Sequence, residues 1–310
     1  MTTTVTDSPT ERTGPPQSLN QHRFGVILAL VGCLLFSLKP VMVKLAYQAG
    51  GDPASIMSLR AFSSLPAYLA ILIYLARSAE NRAKIRSNAL PAIAIGVLGY
   101  YAASYLDIAA LAFISAQLER LLIYLFPTFV VLISWFIFKQ KPSKKTVFAT
   151  AIGYLGVSII VMHDFSQLGK DILVGSGLAV ASALAFAFYL VWSKPLISRM
   201  GSQIFTSIGM GSAGVAILIH LQVSGAVISD WSAELVTIGV LLGIFCTVIP
   251  SYLISAAMAR LTPSELSLSS NVGPLITAIF AVTILDEPFG IYHIIGMVLV
   301  IYSVYKVNQK

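Results

Sequence analysis

Ten apolar runs of about twenty residues each leave this chain few ways to fold. They lie at approximately residues 24–46, 54–76, 89–111, 115–138, 145–162, 173–193, 203–222, 234–258, 264–285 and 290–306. About 20 helical residues cross the hydrocarbon core of a bilayer. Backbone polar groups at that depth must be satisfied within the protein, so only helices or a closed barrel can span it. Continuous runs, rather than alternating runs of about ten residues, select helices. The sequence therefore predicts an all-α membrane protein with ten transmembrane helices. With 57% hydrophobic and 11% charged residues, an ordinary soluble domain is excluded.

The connecting segments alternate in charge. Fifteen of the twenty Lys and Arg fall on one set of loops and termini, including Arg77, Arg82, Lys84 and Arg86 in one loop and Lys139, Lys141, Lys144 and Lys145 in another. The opposite set carries Asp52, Asp164, Asp171, Asp230, Glu234, Asp286 and Glu287 with a single cation, Lys170. The positive-inside rule then places both termini in the cytoplasm, which an even number of spans satisfies, in a multi-pass protein of the cell inner membrane. Orientation also accounts for the net charge of +7, so no nucleic-acid partner is expected. Residues 1–22 are polar and read as a disordered cytoplasmic tail rather than a signal peptide.

The two halves share a register. Gly25, Phe36 and Lys44 recur as Gly175, Phe186 and Lys194 at an offset of 150; Gly96, Ser104-Tyr105-Leu106, Ala109-Ala110 and Pro127 recur as Gly243, Ser251-Tyr252-Leu253, Ala256-Ala257 and Pro274 at 147. Each half, 23–163 and 173–306, holds five spans. An odd number inverts the second half relative to the first. Inverted repeats typify secondary transporters, whose substrates bind near the midplane between the repeats.

The chain resembles the EamA-type family of the drug/metabolite transporter superfamily over residues 24–306. The resemblance is carried by the end of span one at Lys44, by Arg60, and by Pro127 with the apolar run to Phe138. In the second half it is carried by Gly273-Pro274, Asp286-Glu287 and Ile295-Gly296. Lys139-Gln140-Lys141 replaces the family's usual Glu after span four. The resemblance implies two EamA-like five-helix repeats and a carrier working by alternating access. Family members move amino acids, sugars, sugar-phosphates and other metabolites, many of them outward.

Seven charges remain inside the apolar runs. Thr262-Pro263-Ser264-Glu265 has the pattern of a helix capping box, which accounts for Glu265. Lys39, Lys44, Arg60, Asp107, Glu119 and Arg120 all fall in the outer half of the first repeat. Unpaired, they would cost about 15–20 kcal/mol, so they pair, line an aqueous cavity, or both. Lys39 and Arg60 lie deepest and are the candidate anchors for an anionic group, Arg60 through its planar fork. Glu119 and Arg120 are candidates for substrate contact, and Glu119 or Asp107 for proton coupling. Pro40 removes a backbone hydrogen bond beside Lys39; Pro40, Pro127 and Pro274 are candidate kink or gating positions.

Polar and aromatic side chains complete the candidate site. Ser267 and Asn271 belong to a polar stripe on span nine, and Asn271 occupies the repeat position of Tyr124. Tyr101 and Tyr105 share a face of span three, and Tyr189 lies on span six. His163, His220 and His293 are isolated in sequence and read as surface residues; Cys33 and Cys246 match no metal or disulfide spacing. No cofactor or metal is expected, and no clustered nucleophile or acid–base group suggests an enzyme. The expected function is efflux of a small polar metabolite, an amino acid or small organic anion. A sugar or phosphorylated-metabolite carrier of the same fold is the alternative, ahead of a channel or an intramembrane enzyme.

Overall fold

Helix starts coincide with capping side chains. Asp52, Ser115, Ser143 and Ser232 each accept a hydrogen bond from the backbone N–H three residues on, at 2.8–3.1 Å. The computed structural model describes residues 19–139, 141–224, 228–258, 260–261 and 272–308, and no strand occurs among them. The α-helices of the first half are α1 (Leu19–Ser37), α2 (Lys39–Gln48), α3 (Pro53–Leu75), α4 (Ala79–Ile95), α5 (Ala102–Ala110), α6 (Ala116–Ile123), α7 (Phe126–Phe138) and α8 (Lys144–Leu168). Those of the second half are α9 (Asp171–Met200), α10 (Ser202–Ser224), α11 (Ala233–Gly243), α12 (Ile249–Met258), α13 (Gly273–Leu285) and α14 (Ile291–Asn308).

Eight helical stretches among these residues are long and apolar enough to cross a membrane, and α13 and α14 supply two shorter apolar helices. Each overlaps one of the ten apolar runs. Two expected boundaries move. Residues 19–22, assigned to the tail, form the start of α1, and the basic segment 79–88, read as loop, is the first half of α4. A helix can outlast its apolar run because its backbone bonds are internal, and the Glu80–Lys84 pair at 2.6 Å has the i,i+4 spacing that supports an exposed turn. The polar stripe of span nine, with Ser267 and Asn271, and the box ending at Glu265 lie outside the described residues.

Several spans are interrupted, and the interruptions recur. α1 gives way to α2 at Leu38, and α6 to α7 at Tyr124–Leu125. Pro40, Pro127 and Pro274 each occupy the first turn of the helix after a break, where the missing N–H has no intrahelical acceptor to lose. A π-helical segment, Gly96–Tyr101, joins α4 to α5, and another, Ile244–Val248, joins α11 to α12. Lys139 and Asp286, 147 positions apart, both end their helices in the left-handed conformation, at φ 57° and 53°.

Small residues set the closest helix contacts. α14 runs along α8, where a Cβ on Gly156 would stand 2.7 Å from the Gly296 carbonyl oxygen, so only glycine permits the approach. A Cβ on Gly96 would likewise collide with the backbone of Gly209 on α10. The far ends of α8 and α14 are tied by side chains. Asp164 accepts from His163 Nδ1 at 2.9 Å and from His293 Nε2 at 3.2 Å.

Candidate functional site

Five of the six charges expected in the outer half of the first repeat, Lys39, Arg60, Asp107, Glu119 and Arg120, converge. Leu38 ends α1, so Lys39 starts a new helix, and its Nζ forms an ion pair with Asp107 on α5. The Glu119 carboxyl, on α6, lies beside the Asp107 carboxyl. Asp107 is 5% exposed and Glu119 2%. Three elements thus meet at one buried cluster: two carboxyls and one ammonium.

Two guanidinium groups flank it. Arg60 on α3 is 2% exposed and lies over the Tyr100 ring, 5.7 Å from its centroid. A desolvated cation–π contact is worth about 2 kcal/mol. The π segment is what presents Tyr100 here, since a wide turn shifts the register of side chains along a helix. Arg120 lies over the Tyr124 ring at 5.3 Å, and its Nη2 donates to Ser37 Oγ at 3.4 Å. From the second half, Gly273 closes on Tyr124 and Arg120; a Cβ there would lie 3.3 Å from Arg120 Nη2 and collide with the Tyr124 hydroxyl.

Hydrogen bonding is incomplete in this region. Among the described residues, Arg60 Nη2, Arg120 Nε, Glu119 Oε2 and Gln117 Oε1 are buried without a hydrogen-bond partner. Buried polar atoms nearly always find partners. Four such atoms on three neighbouring side chains of α6 and on Arg60 leave hydrogen-bonding capacity open at this place.

The tyrosines divide. Tyr124 joins the cluster through Arg120. Tyr189 stacks on Phe186, with centroids 5.9 Å apart and planes at 16°, and its ring lies 6.4 Å from that of Tyr100, at the edge of the cluster. Tyr101 and Tyr105 are drawn elsewhere: the Tyr101 hydroxyl is 2.7 Å from His220 Nδ1, and the Tyr105 ring lies 5.2 Å from the same imidazole. Tyr100 and Tyr101, neighbours in the π segment, thus face different partners, Arg60 and His220.

Three histidines expected on the surface have partners. His220 meets the two tyrosines, and His293 is 3% exposed. Ligand atoms of His163, Asp164 and His293 lie within 4.8 Å of one another. The Gly290 N–H donates to His293 Nδ1 at 3.2 Å, so the proton of that ring sits on Nε2, facing Asp164. That nitrogen presents N–H rather than a lone pair, and the group works as a hydrogen-bonded clamp, not a preformed metal site.

Glu287, read from sequence as a topology marker, also has a partner. Its carboxylate accepts from the Ala116 N–H at 2.8 Å and the Gln117 N–H at 3.5 Å, and Gln117 Nε2 donates to the Pro288 carbonyl at 3.4 Å. An anion at a helix N-terminus satisfies unpaired N–H groups and the helix dipole. The second half thereby holds the helix that carries Glu119 and Arg120.

Apolar helices around a buried, partly unsatisfied charge cluster define a multi-pass membrane protein with a polar interior. The model of the EamA-like transporter family matches the chain twice, at residues 23–162 and 173–309, and the chain belongs to that family. Similar curated proteins are named as uncharacterized transporters. YcbK of Bacillus subtilis is 25% identical over 278 residues, 88% of each chain. A transporter of Clostridium kluyveri is 23% identical over 297 residues, 92% of this chain and 94% of its own. A solved crystal structure aligns with a TM-score of 0.62 at 18% identity, over 93% of this chain and 98% of its own, which speaks to the fold alone.

Proposed function

We propose that the chain is a secondary carrier that moves a small polar metabolite, an amino acid or small organic anion, outward across the cell inner membrane. It does so by alternating access between two inverted five-helix repeats, with both termini cytoplasmic. The observation that carries this reading is the Arg60 guanidinium: buried, held over Tyr100, and with Nη2 unpartnered. A fork in that state suits a carboxylate, which accepts two parallel hydrogen bonds. Arg120 Nε is a second cationic donor in the same condition. Lys39, expected beside Arg60 as a direct anchor, is already neutralised by Asp107; its part is to keep that carboxylate from competing with the substrate. Tyr100, Tyr124 and Tyr189 supply walls, and the breaks at Pro40, Pro127 and Pro274 supply the points about which helices reorient.

A second reading rests on the Tyr100–Tyr189–Phe186 aromatic group, a shelf on which a sugar ring could stack, with the two guanidiniums taking a phosphate. A thermal-shift screen of the purified protein separates the two, because a ligand of the folded state raises its stability. Amino acids or carboxylates should stabilise the parent and not Arg60→Gln. Stabilisation by a neutral sugar in the parent and in Arg60→Gln alike would reject the anion reading. Trans-stimulated uptake in proteoliposomes is expected of a carrier and is not available to a channel.

A further inference from the structure

We infer that Glu287 is the latch of the outer gate. Its carboxylate holds α6 against the end of α13 while the carrier is closed outside, and lets go when the carrier opens outward. The inference rests on the alternating-access reading and the orientation proposed above. It adds the contact that sets which state the empty carrier prefers.

The latch is built on a fixed turn. Asp286 stands in the left-handed region at φ 53°, and the Glu287 N–H donates to the Ala281 carbonyl at 3.1 Å, closing the end of α13. The Glu287 side chain then meets the start of α6. It accepts from the Ala116 N–H at 2.8 Å and the Gln117 N–H at 3.5 Å, and Gln117 Nε2 donates back to the Pro288 carbonyl at 3.4 Å. These bonds join segments 170 or 171 positions apart, one from each half.

α6 does not need this carboxylate in order to form. Ser115 Oγ already accepts from the Leu118 N–H at 3.1 Å, the bond of a local N-cap. The N–H groups of Ala116 and Gln117 have no intrahelical acceptor, and water satisfies such donors at an exposed helix start. A carboxylate from the other half in that place ties two bodies together. The tie is reversible at small net cost, because water replaces each bond on release. It also sits where a gate belongs. Glu119 and Arg120 follow Ala116 by about one helical turn. From the tie, α13 runs back along α6 to Gly273, which packs against Arg120 and Tyr124. Parting α6 from α13 at Glu287 uncovers the charged cluster towards the outer face.

The residues at the corresponding inner positions do not offer the same bond. Lys139 repeats Asp286 at an offset of 147 and ends α7 in the same left-handed turn, at φ 57°. At that offset Ser115 also matches Thr262, and Pro127 matches Pro274, so the register holds through this stretch. The next position holds Gln140 where the outer side has Glu287, and Pro263 stands for Ala116. One counterpart carries no charge and the other no N–H. A charged tie is thus available to the outer side and not to its inner equivalent. The empty carrier rests closed outside and open to the cytoplasm, where a cargo for export is loaded.

Double electron–electron resonance on the full chain in lipid nanodiscs, with no ligand, tests this. Cys33 and Cys246 are replaced by Ala, and spin labels are attached in pairs. Ala112→Cys with Gly290→Cys, both exposed, spans the outer gap. Lys141→Cys with Arg260→Cys spans the inner one. The parent should show mainly a short outer and a long inner distance. Glu287→Gln keeps the shape of the side chain and is expected to fold; it should raise the long outer population about fivefold relative to the short one. The inner distance should shorten in the same proportion. Glu287→Ala should go further. Gln117→Ala, which leaves the carboxylate in place and removes only the bond to Pro288, should shift both gaps the same way by less. Unchanged distances in all three variants overturn the latch. An outer gap that widens while the inner gap stays fixed also overturns it, since that is a frayed helix end and not a change of access. If the two gaps vary independently across the variants, the alternating-access reading itself falls; a latch that fails while the gaps stay opposed leaves that reading intact.

Discussion

Glu287 caps the helix that carries Glu119. Its Oε1 accepts from the Ala116 N–H at 2.8 Å across 171 positions of sequence, joining the end of α13 in one half to the start of α6 in the other. Two charged side chains of α6, Glu119 and Arg120, are therefore positioned by a carboxylate that contacts neither.

Removing that cap has a measurable cost. Glu287→Ala should lower stability by about 1–2 kcal/mol, the scale of a lost helix cap with charge assistance. Glu287→Gln should recover part of it through its amide oxygen. Thermal denaturation in detergent reads this directly, and an unchanged midpoint for Glu287→Ala would mean the contact does not hold α6.

The Lys39–Asp107 pair is expected to behave as a buried ion pair. Lys39→Met leaves Asp107 beside Glu119 with no ammonium, and should cost about 3–5 kcal/mol. Pairing it with Asp107→Leu should restore much of the loss. A double-mutant cycle that returns no coupling between the two positions contradicts the pairing.

Arg60 should be intolerant of a merely charged replacement. Arg60→Lys keeps one positive charge but loses the fork and the flat contact with Tyr100. For whichever ligand the thermal-shift screen returns, affinity should fall about tenfold, or about 1.4 kcal/mol. Tyr100→Leu should act in the same direction, and equal affinity in all three proteins counts against Arg60 as an anchor.

The clamp between α8 and α14 can be opened from one side. His293→Phe removes one of the two imidazole N–H contacts of Asp164, which is 7% exposed, and should destabilise by about 1–3 kcal/mol. Asp164→Asn should be milder, since an amide oxygen can still accept. Denaturation midpoints that leave His293→Phe at the parent value would show that the clamp bears no load.

Helix approach gives a steric counterpart. Gly156→Val places a branched side chain against the Gly296 carbonyl and should cost about 1–3 kcal/mol through overpacking or separation of α8 from α14. Gly177, whose added Cβ meets nothing within 4 Å, is the control position on α9.

Much of this architecture was legible from spacing. Apolar runs gave the helices because bilayer thickness sets their length, and each described helix that can cross overlaps one of them. Pro40, Pro127 and Pro274 marked breaks, whereas Pro66, Pro91 and Pro195 lie inside continuous helices, so proline alone does not decide where a helix stops. The helical reach of α4 into 79–88 was not legible, since a basic, polar stretch at the membrane edge satisfies a loop and a helix equally. The candidate site was legible as a list of costly charges and not as an arrangement. Lys39 and Asp107 are 68 positions apart, and nothing in either neighbourhood says that they meet.

By itself the sequence determined that the chain lives in a bilayer, roughly where it crosses, and which ionisable residues need an explanation there. Hydrophobic transfer is a property of local composition, so composition suffices for it. Tertiary structure alone decided who answers whom: Asp107 takes Lys39 while Arg60 Nη2 stays without a partner, Tyr100 rather than Tyr101 lies under Arg60, and Glu287 reaches α6. Pairing depends on distances of a few ångströms between helices, and those are set by the whole packing, which no local stretch of sequence contains.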